Sequence, residues 1–428
     1  MRIVFSHPGY WPYMASTNRV LTDLSRYLAG QGHEVHVICV GASRREREND
    51  ERLRQKIVEG VHVHRIPNFR IGPFEAKWYS PLNRIAHFIR SGIRTLDQGR
   101  KADVVVTLDT PLLMGWWGLA AHWLSSGRAK HIVWSMDLLP ESRFEMGKWG
   151  QSNPFYRLLA IIERLPQKLG ATTIVLGDCM KQRLVASGVS DDAVKVAGIW
   201  HYGDLVESKM PAGGAAYLDP ALTGKFLLLY SGYTGAAHNV GPLLLLAERL
   251  ERQSNVQIAL VDDSPQLMDL AARAQNSGLT NLSRFNARSW SELGEFPGSA
   301  NLHVVSLVNS MTGTCVPSKT YGRLAPGRPT LFIGSRLSQV AADIIEARAG
   351  FVIDAEDDEG IAAQILRIVN RLIQKPWLAK RLGANGRNAF MKRHDHAVAC
   401  AAWEATLLNV LGRQSVRGPA VPFVGTNS

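Results

Sequence analysis

Apolar residues along this chain fall into short, nearly unbroken runs that alternate with longer stretches of mixed character. RIVFS (2–6), EVHVICV (34–40), VHVHRI (61–66), DVVVTLD (103–109), HIVWSMD (131–137), TTIVLGD (172–178) and VKVAGI (194–199) are such runs. Their length, and the absence of strict polar alternation, predict strands buried on both faces. Between the first two, RVLTDLSRYLAGQG places Val20, Leu21, Leu24, Tyr27 and Leu28 at helical spacing, with a stop at Gly30 or Gly32. Strand–helix alternation of this kind predicts a doubly wound parallel α/β sheet.

The pattern breaks at ESKMPAGGAAYLDPALTG (207–224), which is rich in Pro, Gly and Ala, and then resumes. KFLLLYSG, VQIALVDD, NLSRFN, LHVVSL, PTLFIG and GFVID form a second strand series, and long helices run from Ile361 to about Leu411. The chain is therefore expected to hold a first Rossmann-like domain over 1–206, a linker over 207–224 and a second such domain over 225–394. A helix at about 395–412 is expected to pack back on the first domain, and 413–428 to form a flexible tail. Ligands of open α/β sheets bind at the carboxyl ends of the strands, so two facing domains imply a site in a central cleft.

Charge adds a bias toward anionic partners. The net charge is +12, and residues 65–101 hold Arg65, Arg70, Lys77, Arg84, Arg90, Arg94, Arg100 and Lys101 against Glu75 and Asp97, half of that total. Cys39, Cys179, Cys315 and Cys400 are far apart and lack metal-binding spacing, which argues for a reducing compartment and against zinc or a disulfide framework. MRIVFSHPGYW does not read as a signal peptide, and PLLMGWWGLAAHWL is too short to span a bilayer. The expectation is a cytoplasmic protein with at most peripheral contact at the inner face of the cell membrane.

Four stretches could carry chemistry. YSGYTGAAHN (230–239) links a strand to a helix, and Gly232 and Gly235 would let its backbone, with His238 nearby, approach a phosphate; an ordinary glycine-rich turn reads the same way. In GTCVPSKTYGRLAPGRPTLFIG (313–334), Pro317 opens a short helix that Ala325-Pro326-Gly327 stops. Ser318, Lys319 and Thr320 then lie at its start, where a hydroxyl and a cation could stabilise a departing diphosphate. In WSMDLLPES (134–142), Asp137 or Glu141 could accept a proton from an acceptor hydroxyl, and Asp137 could equally cap a helix. The loop after the first strand carries His7, Tyr10, Tyr13, Ser16, Asn18 and Arg19 as cleft or acceptor contacts. The pairs Asp191-Asp192, Asp262-Asp263 and Asp357-Asp358 sit where aspartate serves turns and helix starts, so no bound metal is expected.

At PSKTYGRLAPGRP the chain resembles the retaining GT-B glycosyltransferases of glycosyltransferase family 4, most nearly bacterial enzymes of cell-surface polysaccharide synthesis. GYWP with GHEVHVICV, MDLLPES and YSGYTGAAHN are similar to other family stretches in order and spacing. The resemblance implies the GT-B fold, no cofactor, and metal-independent transfer with retention of configuration. The donor would be a UDP- or GDP-sugar held by the second domain, and the acceptor a polyprenyl-linked sugar met by the first. The sequence departs from the family at several points. Its two glutamates eight residues apart appear as Thr314 and Gly322, its Gly-Gly loop as Ala15-Ser16, its Gly-Asp-Gly as Asp262-Asp263-Ser264, and a basic residue as Ala236.

LNRIAHFIRSGIRTL gathers Leu82, Ile85, Ala86, Ile89, Ile93 and Leu96 on one helical face, with Arg84, His87, Arg90 and Arg94 toward the other. The apolar face is expected to pack on the first domain. Arg84, Arg90 and Arg94, with Lys77 upstream, are then left to meet an anionic membrane. Two rivals predict otherwise: a sugar-nucleotide epimerase of the same fold, and a nucleic-acid binder. The basic segment has no nucleic-acid-binding motif.

Overall fold

The computed structural model describes residues 1–13, 17–41, 50–67, 70–71, 74–75, 81–147, 154–201, 219–285 and 296–413. It divides into two units, one of Met1–Gly198 with Ala399–Ser428 and one of Ile199–Val398.

The first unit opens β1 (Arg2–Ser6), α1 (Thr17–Gly30), β2 (Glu34–Val40), β3 (Ile57–Val58), β4 (Val61–Ile66) and the small hairpin β5 (Arg70–Ile71) and β6 (Phe74–Glu75). It continues with α2 (Pro81–Gly99), β7 (Val104–Leu108), α3 (Met114–Leu124), β8 (Lys130–Ser135), α4 (Glu141–Glu145), α5 (Pro154–Lys168), β9 (Thr172–Val175), α6 (Asp178–Ala186) and β10 (Val194–Val196). The main sheet has the order β10-β9-β8-β7-β1-β2-β4-β3 and is parallel except for β3. All five residues of β7 are buried, as their apolar run requires. α1 buries Val20, Leu21, Leu24 and Leu28. The chain leaves it through Gly32 at φ +84, a left-handed conformation that glycine adopts without strain.

Right-handed crossovers put α1 on one face of the sheet and α2, α3 and α5 on the other. α3 is the middle of that second layer. Gly92 of α2 leaves room for Trp117, whose ring a Cβ there would meet at 2.0 Å, and Trp116 Nε1 donates to the Ile162 carbonyl of α5 at 3.1 Å.

One sequence expectation is reversed here. α2 turns Asn83, His87, Thr95 and Gln98 inward and leaves Leu82, Ile85, Ile89 and Ile93 exposed. The polar side wins because the interior strand β1 offers it partners: Thr95 Oγ1 donates to Ser6 Oγ at 3.0 Å, and Gln98 Oε1 accepts from Arg2 at 2.8 Å. Arg94 is drawn to Asp97 and His64, each at 3.1 Å, so it does not point freely outward as the sequence reading had it.

The second unit holds β11 (Phe226–Ser231), α7 (Gly241–Arg249), β12 (Val256–Val261), α8 (Pro265–Asn276), β13 (Leu282–Phe285), α9 (Phe296–Ser299) and β14 (Leu302–Ser306). After these come α10 (Lys319–Leu324), β15 (Thr330–Ile333), α11 (Gln339–Ala347), β16 (Gly350–Ile353), α12 (Asp358–Gln374), α13 (Pro376–Arg393) and α14 (His396–Val410). Its sheet is wholly parallel, in the order β13-β12-β11-β14-β15-β16. A core of leucine, isoleucine and valine from β11, β12, β14, α7 and α12 fills one side. α14 crosses into the first unit, where Trp403 packs on Trp134 at 4.4 Å between ring centroids and Glu404 accepts from His33 at 2.8 Å. Of the expected linker, 219–224 is described and includes a short turn at Pro220–Leu222; of the expected tail, only Arg413 is described, bonded to Asp103 at 3.2 Å.

Candidate functional site

In the second unit the carboxyl end of β11 meets the start of α10. Gly232 takes φ +96, which turns the chain beneath α10 so closely that a Cβ there would lie 3.7 Å from Lys319 Cδ and 3.8 Å from Arg323 Nη2. Lys319 Nζ donates to Tyr230 Oη at 3.0 Å and to the Tyr233 carbonyl at 3.3 Å, and sits 4.6 Å from the centroid of the Tyr230 ring. One turn along the helix, Arg323 donates to the Ser231 carbonyl at 2.9 Å and to Ser231 Oγ.

Burial pulls both cations below their usual values. It lowers the Lys319 ammonium against the opposing pull of the Tyr230 oxygen, and it brings Arg323 to about 10. Arg323 stays protonated at neutral pH, and among the described residues neither cation has a carboxylate within ion-pair distance. His238 Nδ1 donates to the Ser306 carbonyl at 2.6 Å, and burial, with Lys319 nearby, holds its pKa at about 4. The ring is neutral, and this bond leaves Nε2 as an acceptor. The result is a pair of half-buried positive charges on a backbone loop, an arrangement that suits an anion.

α10 is held in place by Tyr321, whose hydroxyl donates to Asp343 Oδ2 at 2.9 Å and whose ring stacks on His394 at 3.9 Å. Ser318 is exposed at the helix start, but Pro317 and Thr320 are buried. Thr320 therefore turns toward the interior and does not present its hydroxyl to a ligand as the sequence reading proposed. Gly235 packs against the Tyr233 ring.

The two missing glutamates have structural reasons. Thr314 is fully buried and donates its hydroxyl to the Met311 carbonyl at 2.8 Å. At Gly322 a Cβ would lie 3.0 Å from the His201 ring, so a side chain there needs that ring to shift.

In the first unit Asp109 and Asp137 follow the adjacent parallel strands β7 and β8. Asp109 is buried; desolvation first, then the charges of Asp137 and Glu163, push its carboxyl well above the usual range. Surrounding protein brings Asp137 to about 6, although the residue itself is exposed. Exposure keeps the carboxylate hydrated, and at neutral pH it is ionised on either ground. Glu163 of α5 accepts from the Leu113 amide at 2.7 Å and is pushed up to about 7, chiefly by burial.

Glu141 is not a free base. It pairs with the buried Arg164 at 2.5 Å, because α4 and α5 bring those two side chains together. His7 is buried after β1 with its Nδ1 against Gly9, and burial lowers it to about 4, so it is a neutral structural contact. Asn18 presses against Gly9 closely enough to exclude any side chain there, Arg19 lies 3.9 Å from Asp23, and Tyr13 is exposed. Ser16 and Lys77 lie outside the described residues.

Sequence reasoning missed Tyr230, Arg323, Asp109 and Glu163. Arg323 was findable from its i, i+4 spacing to Lys319, and Asp109 from DVVVTLD ending in aspartate as HIVWSMD does. Glu163 carried no signal, since its partner amide is fifty residues away in sequence.

Residues 17–200 match the glycosyl transferase 4-like domain. No curated protein matches the chain. Among solved structures, Anabaena Alr3699/HepE in complex with UDP and glucose superposes with a TM-score of 0.68 at 13% identity, covering 95% of this chain and 99% of that one. WaaG, a glycosyltransferase involved in lipopolysaccharide biosynthesis, gives 0.66 at 16% identity over 96% and 100%. Sucrose-phosphate synthase from Thermosynechococcus elongatus gives 0.68 at 14% identity over 96% and 99%. The fold is that of these proteins, two parallel-sheet α/β domains of the GT-B type. With a glycosyl transferase 4-like domain in its first unit, the protein is a glycosyltransferase.

Proposed function

We propose that this glycosyltransferase takes its sugar from a UDP- or GDP-sugar and passes it, with retention of configuration, to a lipid-linked glycan in surface polysaccharide synthesis. The observation that carries the donor assignment is the pair Lys319 and Arg323, two half-buried cations beside the Gly232 loop with no carboxylate at ion-pair distance among the described residues. A diphosphate leaving group gains negative charge as the glycosidic bond breaks, and fixed cations in a partly desolvated site stabilise that charge without reorganising. The neighbours bound to UDP and to UDP-glucose support the same donor class.

In the first unit Asp137 orients the acceptor hydroxyl, because Glu141 is committed to Arg164. WaaG and the lipopolysaccharide outer core galactosyltransferase WaaB support a surface glycan as the product class. The reading includes transfer without a metal, as the resemblance to the family 4 enzymes implies. The glycosyl transferase 4-like domain favours neither the epimerase nor the nucleic-acid binder.

Thermal shift with UDP and GDP in excess EDTA tests this reading. A diphosphate present at about a hundred times its Kd stabilises by about 2.7 kcal/mol, so a clear rise in Tm with one of the two is expected, and sugar transfer should persist under the same conditions. No shift with either nucleotide removes the donor site, and loss of transfer that magnesium or manganese restores removes metal independence.

A further inference from the structure

We propose that the outer face of the α2–α3–α5 layer docks into the surface of an anionic phospholipid bilayer. Surface helices ordinarily turn their apolar stripe inward. Two helices of this layer do the reverse. On α2, Ile85, Ile89 and Ile93 are 59%, 46% and 58% exposed, while Asn83, His87, Thr95 and Gln98 are buried. On α5, Phe155, Leu158 and Ile161 are 67%, 54% and 61% exposed, while Glu163, Arg164 and Gln167 are buried.

The two inverted helices flank α3, which shows the half-buried Trp116, Trp117 and Ala120 between them and the exposed Trp123 and Leu124 at its end. They form two apolar ridges with an apolar floor. An exposed patch of this extent marks a place where something binds.

The charges around the ridges identify the occupant. Arg84 and Arg90 on α2, and Arg157 and Lys168 on α5, are exposed. The single acidic residue of α2, Asp97, is tied to Arg94, Arg100 and Lys101, and the single acidic residue of α5, Glu163, is buried. A second copy of the chain placed symmetrically on this face would set cation against cation. An anionic headgroup layer instead receives the arginines and lysine, and the acyl boundary receives the isoleucines and Phe155. No described helix is long and apolar enough to cross the membrane, so docking is in the plane of the surface.

α2 and α5 begin on the side where the parallel strands end, the rim that carries Asp109 and Asp137. The docked face thus brings that rim close to the bilayer, where a lipid-linked acceptor would present its sugar. In this the proposal deepens the functional reading and rests on it. The test needs neither donor nor acceptor, so the two fail separately.

Co-sedimentation of the full chain with vesicles of phosphatidylcholine alone, or of phosphatidylcholine with phosphatidylglycerol, decides it. One variant carries Ile85→Gln, Ile89→Gln, Phe155→Gln and Ile161→Gln; these sites are exposed, and an unchanged melting curve verifies the fold. A second variant carries Arg84→Gln, Arg90→Gln and Arg157→Gln. The native protein should prefer the anionic vesicles, and each variant should bind them at least about tenfold more weakly, the apolar one at high salt as well as low. Three results overturn the proposal: the apolar variant binding like the native chain, the native chain binding neither vesicle, or the apolar substitutions abolishing a dimer while vesicle binding is absent.

Discussion

Lys319 and Glu141 show how one contact separates a chemical role from a structural one. Lys319 is half-buried and bonded only to neutral oxygens, so its positive charge stays available to a ligand. Lys319→Ala is expected to cut transfer at least 100-fold, about 2.7–4 kcal/mol of barrier, with little change in Tm. Glu141→Ala should do the opposite. It strands Arg164, which is 5% exposed, and breaking a buried pair from one side costs about 3–5 kcal/mol, so the melting temperature falls. Asp137→Asn, with no such partner among the described residues, should lower kcat while the fold is kept. Steady-state rates and melting curves on the three variants read both effects, and a Lys319→Ala enzyme with normal turnover would falsify the donor site.

Helices in this chain are placed by close approaches that propensity does not describe. Gly383 lies inside α13, and there alanine normally adds about 1 kcal/mol over glycine. A Cβ at Gly383, however, would stand 1.9 Å from the Gly327 carbonyl oxygen, which belongs to the turn that ends α10. Backbone cannot yield as a flexible side chain does, so the clash wins. Gly383→Ala should therefore lower Tm and weaken UDP binding by shifting α10; a variant more stable than the native chain would show that the turn moves freely. α2 teaches the same lesson from the opposite side. Its pattern predicted the helix correctly and the buried face wrongly, because hydrogen-bond partners on β1 and room beside Trp117 decided which side faced in.

Stability of the whole molecule responds to pH through two opposed sets of buried groups. Burial lowers His7, His64 and His238 to about 4 and His131 to about 3. The unfolded chain then takes up protons that the folded one refuses, so these groups lose stability as pH falls below about 6.5. Glu163 works the other way. Its folded value of about 7 lies above the ordinary 4.5, so its contribution is complete below the ordinary value and lost as pH rises through 7. Glu163→Gln keeps an acceptor for the Leu113 amide and removes the charge. It should stabilise the protein at about pH 8 by up to about 3 kcal/mol and leave it little changed at about pH 4.5. Paired melts at the two pH values check this, and equal effects at both would show that Glu163 does not titrate in that window.

The apolar runs of the sequence by themselves determined two parallel sheets, the break between them and the glycine and lysine stretches at their strand ends, because burial on both faces leaves a local, periodic trace. PSKTYG was legible because a short capped helix is written in neighbouring residues. Tertiary structure alone decided which cations converge on Gly232, that Glu141 is spent on Arg164, that Thr314 is buried and Gly322 lies against His201, and which side of α2 faces water. Each of those depends on atoms brought together from distant parts of the chain, and a one-dimensional pattern carries the period of a helix but not the chemistry of the surface it meets.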